Sequence, residues 1–256
     1  MILYFSATGT SKYVAEQIAK ATGEKIVPLK ELVRQEKYSL TVPEGENFGV
    51  VMPTYWEGLP AILLDYLQKV EINLEGSNHY CFFVATYGCD YGNILSTAQK
   101  EFGKVGISFD SLYAARFVDN WSPMFYLKDA QRNRLAEENG EAETRAIIEQ
   151  IMRCEKGHSL PDQMPGIMAA AAKANYNRIR KTKNFRLDRE KCIGCGLCAR
   201  QCPLDAIVMQ EGKPKWVKEK CTLCLGCFHR CSAAAIDYDG GLRNGQYVNR
   251  HVMLDD

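Results

Sequence analysis

Eight of the eleven cysteines in the 256-residue sequence fall in two runs of identical spacing, Cys192-x2-Cys195-x2-Cys198-x3-Cys202 and Cys221-x2-Cys224-x2-Cys227-x3-Cys231. Thiolates so spaced ligate iron-sulfur cubanes: three curl round one cluster, and the fourth points away and reaches a second. The pattern predicts one 4Fe-4S cluster on Cys192, Cys195, Cys198 and Cys231, and another on Cys221, Cys224, Cys227 and Cys202. Zinc would use two Cys-x2-Cys pairs and leave the other cysteines of each run unexplained. A disulfide framework suits a small secreted chain, whereas Met1-Ile2-Leu3-Tyr4-Phe5-Ser6 shows no leader pattern. A reducing, cytoplasmic setting is therefore expected.

A second constellation lies near the N-terminus. The apolar run ending at Phe5 leads into Ser6-Ala7-Thr8-Gly9-Thr10-Ser11-Lys12 and then a helical pattern. Hydroxyls of Ser6, Thr8, Thr10 and Ser11, the permissive Gly9 backbone and free N–H groups at a helix start together suit a phosphate. Two further loops follow later apolar runs: Pro53-Thr54-Tyr55-Trp56-Glu57-Gly58 and Thr86-Tyr87-Gly88-Cys89-Asp90-Tyr91-Gly92-Asn93. Tyr55, Trp56, Tyr87 and Tyr91 could sandwich a flavin ring, and the backbone around Gly58, Gly88 and Gly92 could bond its polar edge. Flavin mononucleotide (FMN) is the expected ligand. The segment Asp119 to Phe125 is expected to cover that site or the route to the clusters, with Trp121 equally suited to packing between domains.

The other thiols and the four histidines carry less. Cys81 reads as a buried small hydrophobe, Cys154 as a helix-packing residue and Cys89 as an inert thiol beside the flavin loop, because Asp90 does not make an electropositive setting. His79, His158, His229 and His251 form no metal spacing, and His229 is expected to face solvent. No G-x-G-x-x-G follows an apolar run, so no nicotinamide site is predicted.

These residues need elements to position them. Residues 1 to about 155 alternate apolar runs with amphipathic stretches, the pattern of a parallel sheet wrapped by helices. Strands are predicted at 2–5, 26–29, 48–52, 80–86 and 112–118, and a last helix over about 129–154. A Gly- and Pro-containing break at 157–166 precedes a helical stretch over 167–183. The cluster module occupies about 187–240 as an internal repeat, and the 241–256 tail has no readable role. The predicted organisation is thus 1–155, a 156–186 linker, 187–240, and the tail.

Composition sets limits on partners. Thirty-two basic against thirty-one acidic residues leave the chain near neutrality, so nothing global points to nucleic acid or a membrane surface. No apolar run is long enough to span a bilayer. Charge is concentrated in Lys173 to Lys191, which holds eight basic and two acidic residues. Such a run is either a solvated linker helix balancing anionic clusters, the reading favoured here, or a docking face for an acidic redox partner.

Residues 4 to 19, with their Ser/Thr-x-Thr-Gly-x-Ser/Thr loop, resemble the phosphate loop and first helix of flavodoxins. With the two cysteine runs, the chain resembles flavodoxin-ferredoxin fusion proteins of anaerobic bacteria and archaea. The resemblance covers about 1–118 and 187–238. It implies an α/β fold with a flavodoxin-like, doubly wound, five-stranded parallel sheet of order 2-1-3-4-5, and a smaller α+β domain of bacterial ferredoxin type. FMN and two 4Fe-4S clusters are the implied cofactors. The second run departs from the family at Cys231-Ser232, where the first has Cys202-Pro203.

Electron transfer between the clusters and FMN, in an anaerobic-type pathway with an unidentified redox partner, is the expected function. A ferredoxin-fed flavin reductase of a small acceptor such as a quinone is the alternative. An iron-sulfur redox sensor with an empty flavin pocket is the non-enzymatic one.

Overall fold

The computed structural model describes residues 1–253; residues 254–256 of the tail lie outside the described residues. The N-terminal half runs β1 (Ile2–Tyr4), α1 (Thr10–Thr22), β2 (Ile26–Pro28), α2 (Leu29–Arg34), β3 (Ser39–Val42), β4 (Phe48–Pro53), α3 (Ala61–Leu67), β5 (Glu71–Leu74), β6 (Cys81–Tyr87), α4 (Ile94–Gly103), β7 (Ser111–Arg116) and α5 (Ala130–Met152). Five strands form one parallel sheet in the order β2-β1-β4-β6-β7. That is the flavodoxin-like 2-1-3-4-5 arrangement, whose ligands bind beyond the carboxyl ends of the strands.

Alternation along the strands builds two cores. Leu3, Val50 and Phe83 face α3 and α4, while their neighbours Ile2, Val51 and Phe82 face Val14 and Ile18 of α1 and Ile147 and Ile151 of α5. Side chains two residues apart share a face, so consecutive apolar residues feed both layers. Helix α5 starts where the Asp129 carboxylate accepts from the Arg132 N–H, as an N-cap should. Among the elements that escaped the sequence reading, β3 and β5 pair in parallel as a separate ribbon. Both are short and half polar, so they carry no apolar run.

The second half consists of α6 (Gly166–Ile179), β8 (Phe185–Leu187), α7 (Leu197–Arg200), β9 (Ile207–Gln210), β10 (Lys213–Trp216), α8 (Gly226–His229) and β11 (Ile236–Tyr238). Each cysteine run sits between two strands, and the repeat closes on itself because β8 of the first copy pairs antiparallel with β11 of the second. The copies join through the antiparallel β9-β10 hairpin. Helix α6 ends at Ile179, earlier than predicted, because Lys181 bridges Lys220 and the Thr182 hydroxyl bonds the Lys218 carbonyl. Among the described residues no helix is long and apolar enough to cross a membrane.

Candidate cofactor sites

A cleft of about 380 Å³ opens at the carboxyl edge of the sheet. One end is the β1–α1 loop, where Ser6, Thr8, Thr10 and Ser11 line the wall. Helix α1 has no acidic residue in its first turn, so its first N–H groups and dipole present a positive end. Ser11 Oγ bonds Thr86 Oγ1 at 2.8 Å, and Asn120 Nδ2 donates to Thr8 Oγ1 at 2.8 Å. Gly9 lies outside the lining and shapes the loop instead. Its φ of +99° and the collision an added Cβ would make with Val252 Cγ2 both require glycine.

Pro53, Thr54, Tyr55, Trp56, Thr86, Tyr87 and Gly88 also line the cleft, together with Glu57, Cys89, Asp90 and the Phe117–Trp121 stretch. Gly58, Tyr91 and Gly92 do not. Gly58 exchanges two backbone hydrogen bonds with Tyr55. Tyr91 is buried, its hydroxyl donating to the Pro161 carbonyl, and the Gly92 N–H donates to Gln163. The aromatic floor thus differs from a four-ring sandwich: Trp56 stacks on Tyr176 at 5.3 Å and meets Trp121 edge-on at 4.5 Å.

The Tyr55–Gly58 turn has both central residues left-handed, Trp56 at φ 47° and Glu57 at 63°. Two-residue turns of that form favour Asn-Gly, and bulky residues there are strained. The strained turn holds Glu57 next to Asp90. Burial first, then the Asp90 hydrogen bond and the Asp90 and Asp119 charges, push the Glu57 carboxyl up to about 8. It is protonated at neutral pH. In this wall Thr54 Oγ1 is buried without a partner in the protein, which suits a wall whose partner is a ligand. The residues present fit a flavin nucleotide: hydroxyls and a helix start at one end, rings and an orphaned hydroxyl at the other.

The eight clustered cysteines surround two small cavities. Cys192, Cys195, Cys198 and Cys231 line one; Cys202, Cys221, Cys224 and Cys227 line the other. Among the described residues no three metal-binding side chains converge tightly enough for a lone ion; the thiols ring a space. Four soft donors around each cavity suit a cubane. Burial pushes the Cys198 and Cys221 thiols up to about 11 and Cys224 to about 12, so metal must displace protons there.

The two sites touch. Leu223, Cys224 and Leu225 form part of the wall of the N-terminal cleft. Around that seam Ile62 N–H donates to Thr222 Oγ1, Tyr176 Oη donates to the Thr222 carbonyl at 2.5 Å, and Arg230 Nε donates to the Ala7 carbonyl at 2.7 Å. The tail joins them. Asn249 N–H donates to the Thr8 carbonyl, and Gln246 Nε2 donates to the Phe228 and Cys231 carbonyls. No local pattern marks these contacts, which link residues far apart in sequence.

Two readings of single residues are corrected. His229 is buried: Nδ1 accepts from the Tyr247 N–H, Nε2–H donates to the Asn120 carbonyl, and burial pulls its pKa down to about 3. It is a neutral joint between domains. Cys154 lies exposed just past α5 at φ 49°, so it packs no helix. Cys81 is buried as expected, and burial followed by Asp119 raises the Cys89 thiol, which keeps it protonated.

Residues 185–208 match the 4Fe-4S binding domain family. Over 57 residues, 20% of this chain, the sequence is 39% identical to an uncharacterized ferredoxin of Methanocaldococcus jannaschii, covering 35% of it. It is 48% identical over 44 residues, 17% of this chain, to one component of the Na(+)-translocating ferredoxin:NAD(+) oxidoreductase complex of Acetobacterium woodii, covering 13% of that component. The chain therefore spans about a third or less of these relatives. Among solved structures, a Streptococcus pneumoniae flavodoxin overlaps 57% of this chain and 97% of its own at 16% identity and a TM-score of 0.30. A short-chain flavodoxin associated with a bacterial microcompartment overlaps 56% and 96% at 17% identity and 0.33. The strand order, rather than these overlaps, defines the N-terminal fold.

Proposed function

We propose that this chain, a flavodoxin-like domain joined to a 4Fe-4S ferredoxin-type domain, passes electrons between two 4Fe-4S clusters and a bound FMN in an anaerobic-type redox pathway. The carrying observation is the shared wall: Cys224, in the second four-thiol ring, lines the cleft that the phosphate-type loop opens. When bound, the clusters would supply one-electron exchange and the flavin one- or two-electron exchange.

The chain's own residues position these groups. Ser6, Thr8, Thr10 and Ser11 hold the phosphate end, Trp56, Tyr87 and Trp121 offer ring faces, and Tyr55 fills the space between cleft and thiols. Burial together with the Cys224 and Tyr176 neighbours keeps the Tyr55 phenol protonated. Docking through Arg230, Tyr176 and the tail fixes the distance, so transfer needs no encounter between separate carriers.

Protonated Glu57 at the cleft favours a second reading, reduction of a small acceptor such as a quinone that takes up protons with electrons. Anaerobic purification with cofactor analysis tests both. About eight iron atoms and one FMN per chain are expected, with dithionite reducing clusters and flavin in one titration. Protein with full iron and no flavin affinity would refute the relay. Steady turnover of a quinone without a protein partner would select the second reading.

A further inference from the structure

The basic run does not end as a solvated helix. Arg180 pairs with Asp65 and Lys191 with Asp188, but Lys181, Lys183 and Arg189 come together with Lys215 of β10 along one open groove on the ferredoxin-type domain. Among the described residues none of these four cations has an ion-pair partner, and Glu219 is the acidic residue in the groove lining. The floor is apolar: Phe185 and Trp216 stack at 5.2 Å with an 11° tilt. The same two rings wall the cavity of Cys202, Cys221, Cys224 and Cys227 from behind. One aromatic layer thus separates a net-cationic groove from the thiol ring that reaches the cleft.

We propose that this groove is the docking face for an acidic electron-carrier protein, which exchanges its electron with the chain across the Phe185–Trp216 pair. The proposal rests on the relay reading above. In each encounter the reduced carrier loses one electron and the chain gains one; no bond is made or broken. Charge complementarity selects the partner, since four cations beside an apolar floor attract an acidic surface and orient it, raising the association rate at low salt. A local positive face on a chain of near-zero net charge gives directed rather than general attraction. The placement also separates entry from the cleft, leaving the flavin face open to a different reactant.

The probe is a purified acidic bacterial ferredoxin with two 4Fe-4S clusters, mixed under argon with the loaded full chain. Binding by calorimetry and reduction by stopped-flow are read from low to high salt. For the wild type, affinity and second-order rate should both fall steeply with salt. Lys183→Glu, Arg189→Glu and Lys215→Glu together should weaken binding and slow reduction about tenfold or more, with the Gln triple variant between. These side chains are exposed, and unchanged melting and iron content verify an intact fold.

Unchanged binding and rate in the Glu triple variant overturn the proposal. So does salt-independent wild-type binding, equal binding of a basic carrier of similar size, or saturable binding of inorganic phosphate without ferredoxin binding. The order of reduction separates the two levels of inference. If the ferredoxin reduces first the clusters and then the flavin in every variant and is indifferent to charge, docking alone fails; if clusters reduced by the ferredoxin leave the flavin oxidised, the relay fails.

Discussion

Replacing Tyr176 with Phe tests how the two domains are held together. Helix α6 is exposed along its length, with Ile167 at 81%, yet Tyr176 is 3% exposed. Its hydroxyl donates to the Thr222 carbonyl at 2.5 Å and accepts from the Ala61 N–H at 3.3 Å, and burial lifts its pKa to about 12, so both bonds persist through neutral pH. The Phe variant keeps the stack on Trp56 and leaves two buried backbone groups unsatisfied. Each such group costs about 1–3 kcal/mol, and the longer Ala61 bond contributes at the low end, giving about 2–3 kcal/mol together. With a urea m-value of about 2–3 kcal/mol per molar, the midpoint should fall by about 1 M. Tyr176→Ala removes the ring as well and should lose about 4–5 kcal/mol. The assay is urea unfolding of the loaded protein under argon, followed by tryptophan emission and cluster absorbance, whose midpoints should stay together if the domains unfold as one. A Phe midpoint within about 0.2 M of wild type would refute the account of Tyr176 as the bolt across the seam.

Glu57 should make stability depend on pH. Its carboxyl is raised from 4.5 to about 8 in the fold, so the folded state holds a proton that the unfolded chain releases, and stability declines as pH rises from about 4.5 through about 8. Because the group is partly solvated, the screened loss is about 1 kcal/mol; Glu57→Gln should flatten the melting-temperature profile, and an unchanged slope would count against the carboxyl pair. Glu57→Gly removes the left-handed strain too and should raise stability at pH 8 above that of Glu57→Gln by about 1 kcal/mol, measured by the same melts. Gly9→Ala, forced against Val252, should lower stability by about 2–3 kcal/mol and weaken FMN retention on a desalting column. Cys224→Ala should cut iron from about eight toward four per chain while FMN still binds; undiminished iron would separate Cys224 from the cluster.

The strands could be read ahead because apolar runs such as Phe82–Ala85 are a local signature, whereas their order came from the resemblance of the 4–19 segment to flavodoxins; the thiols at fixed intervals line two cavities in the grouping their spacing suggests. The Ser6–Ser11 loop stands out in the sequence in the same local way, and its hydroxyl residues line the cleft. Trp56-Glu57 was not legible as a left-handed turn, since neither residue is a turn former and tertiary packing holds them there. Cys224 reads from sequence as a metal ligand, but its place on the cleft wall depends on docking a segment more than two hundred residues from Ala7. His229 shows the limit of residue-type expectation. An imidazole between cysteines looks solvated until Tyr247 and Asn120 arrive from opposite directions to satisfy both nitrogens.

The closure of the β1–α1 loop by Arg230, 223 residues downstream, and by Asn249 and Val252 gives assembly on the ribosome an order. The parallel sheet and both of its core layers are complete once α5 has been translated, but its β1–α1 loop then stands open on the side where Val252 will pack. The strands of the cluster module must be made before Arg230 and the tail can reach back. On the proposed relay, cofactor retention therefore matures last, after iron has had its chance to enter, and a nascent chain starved of iron is expected to lose flavin affinity as well.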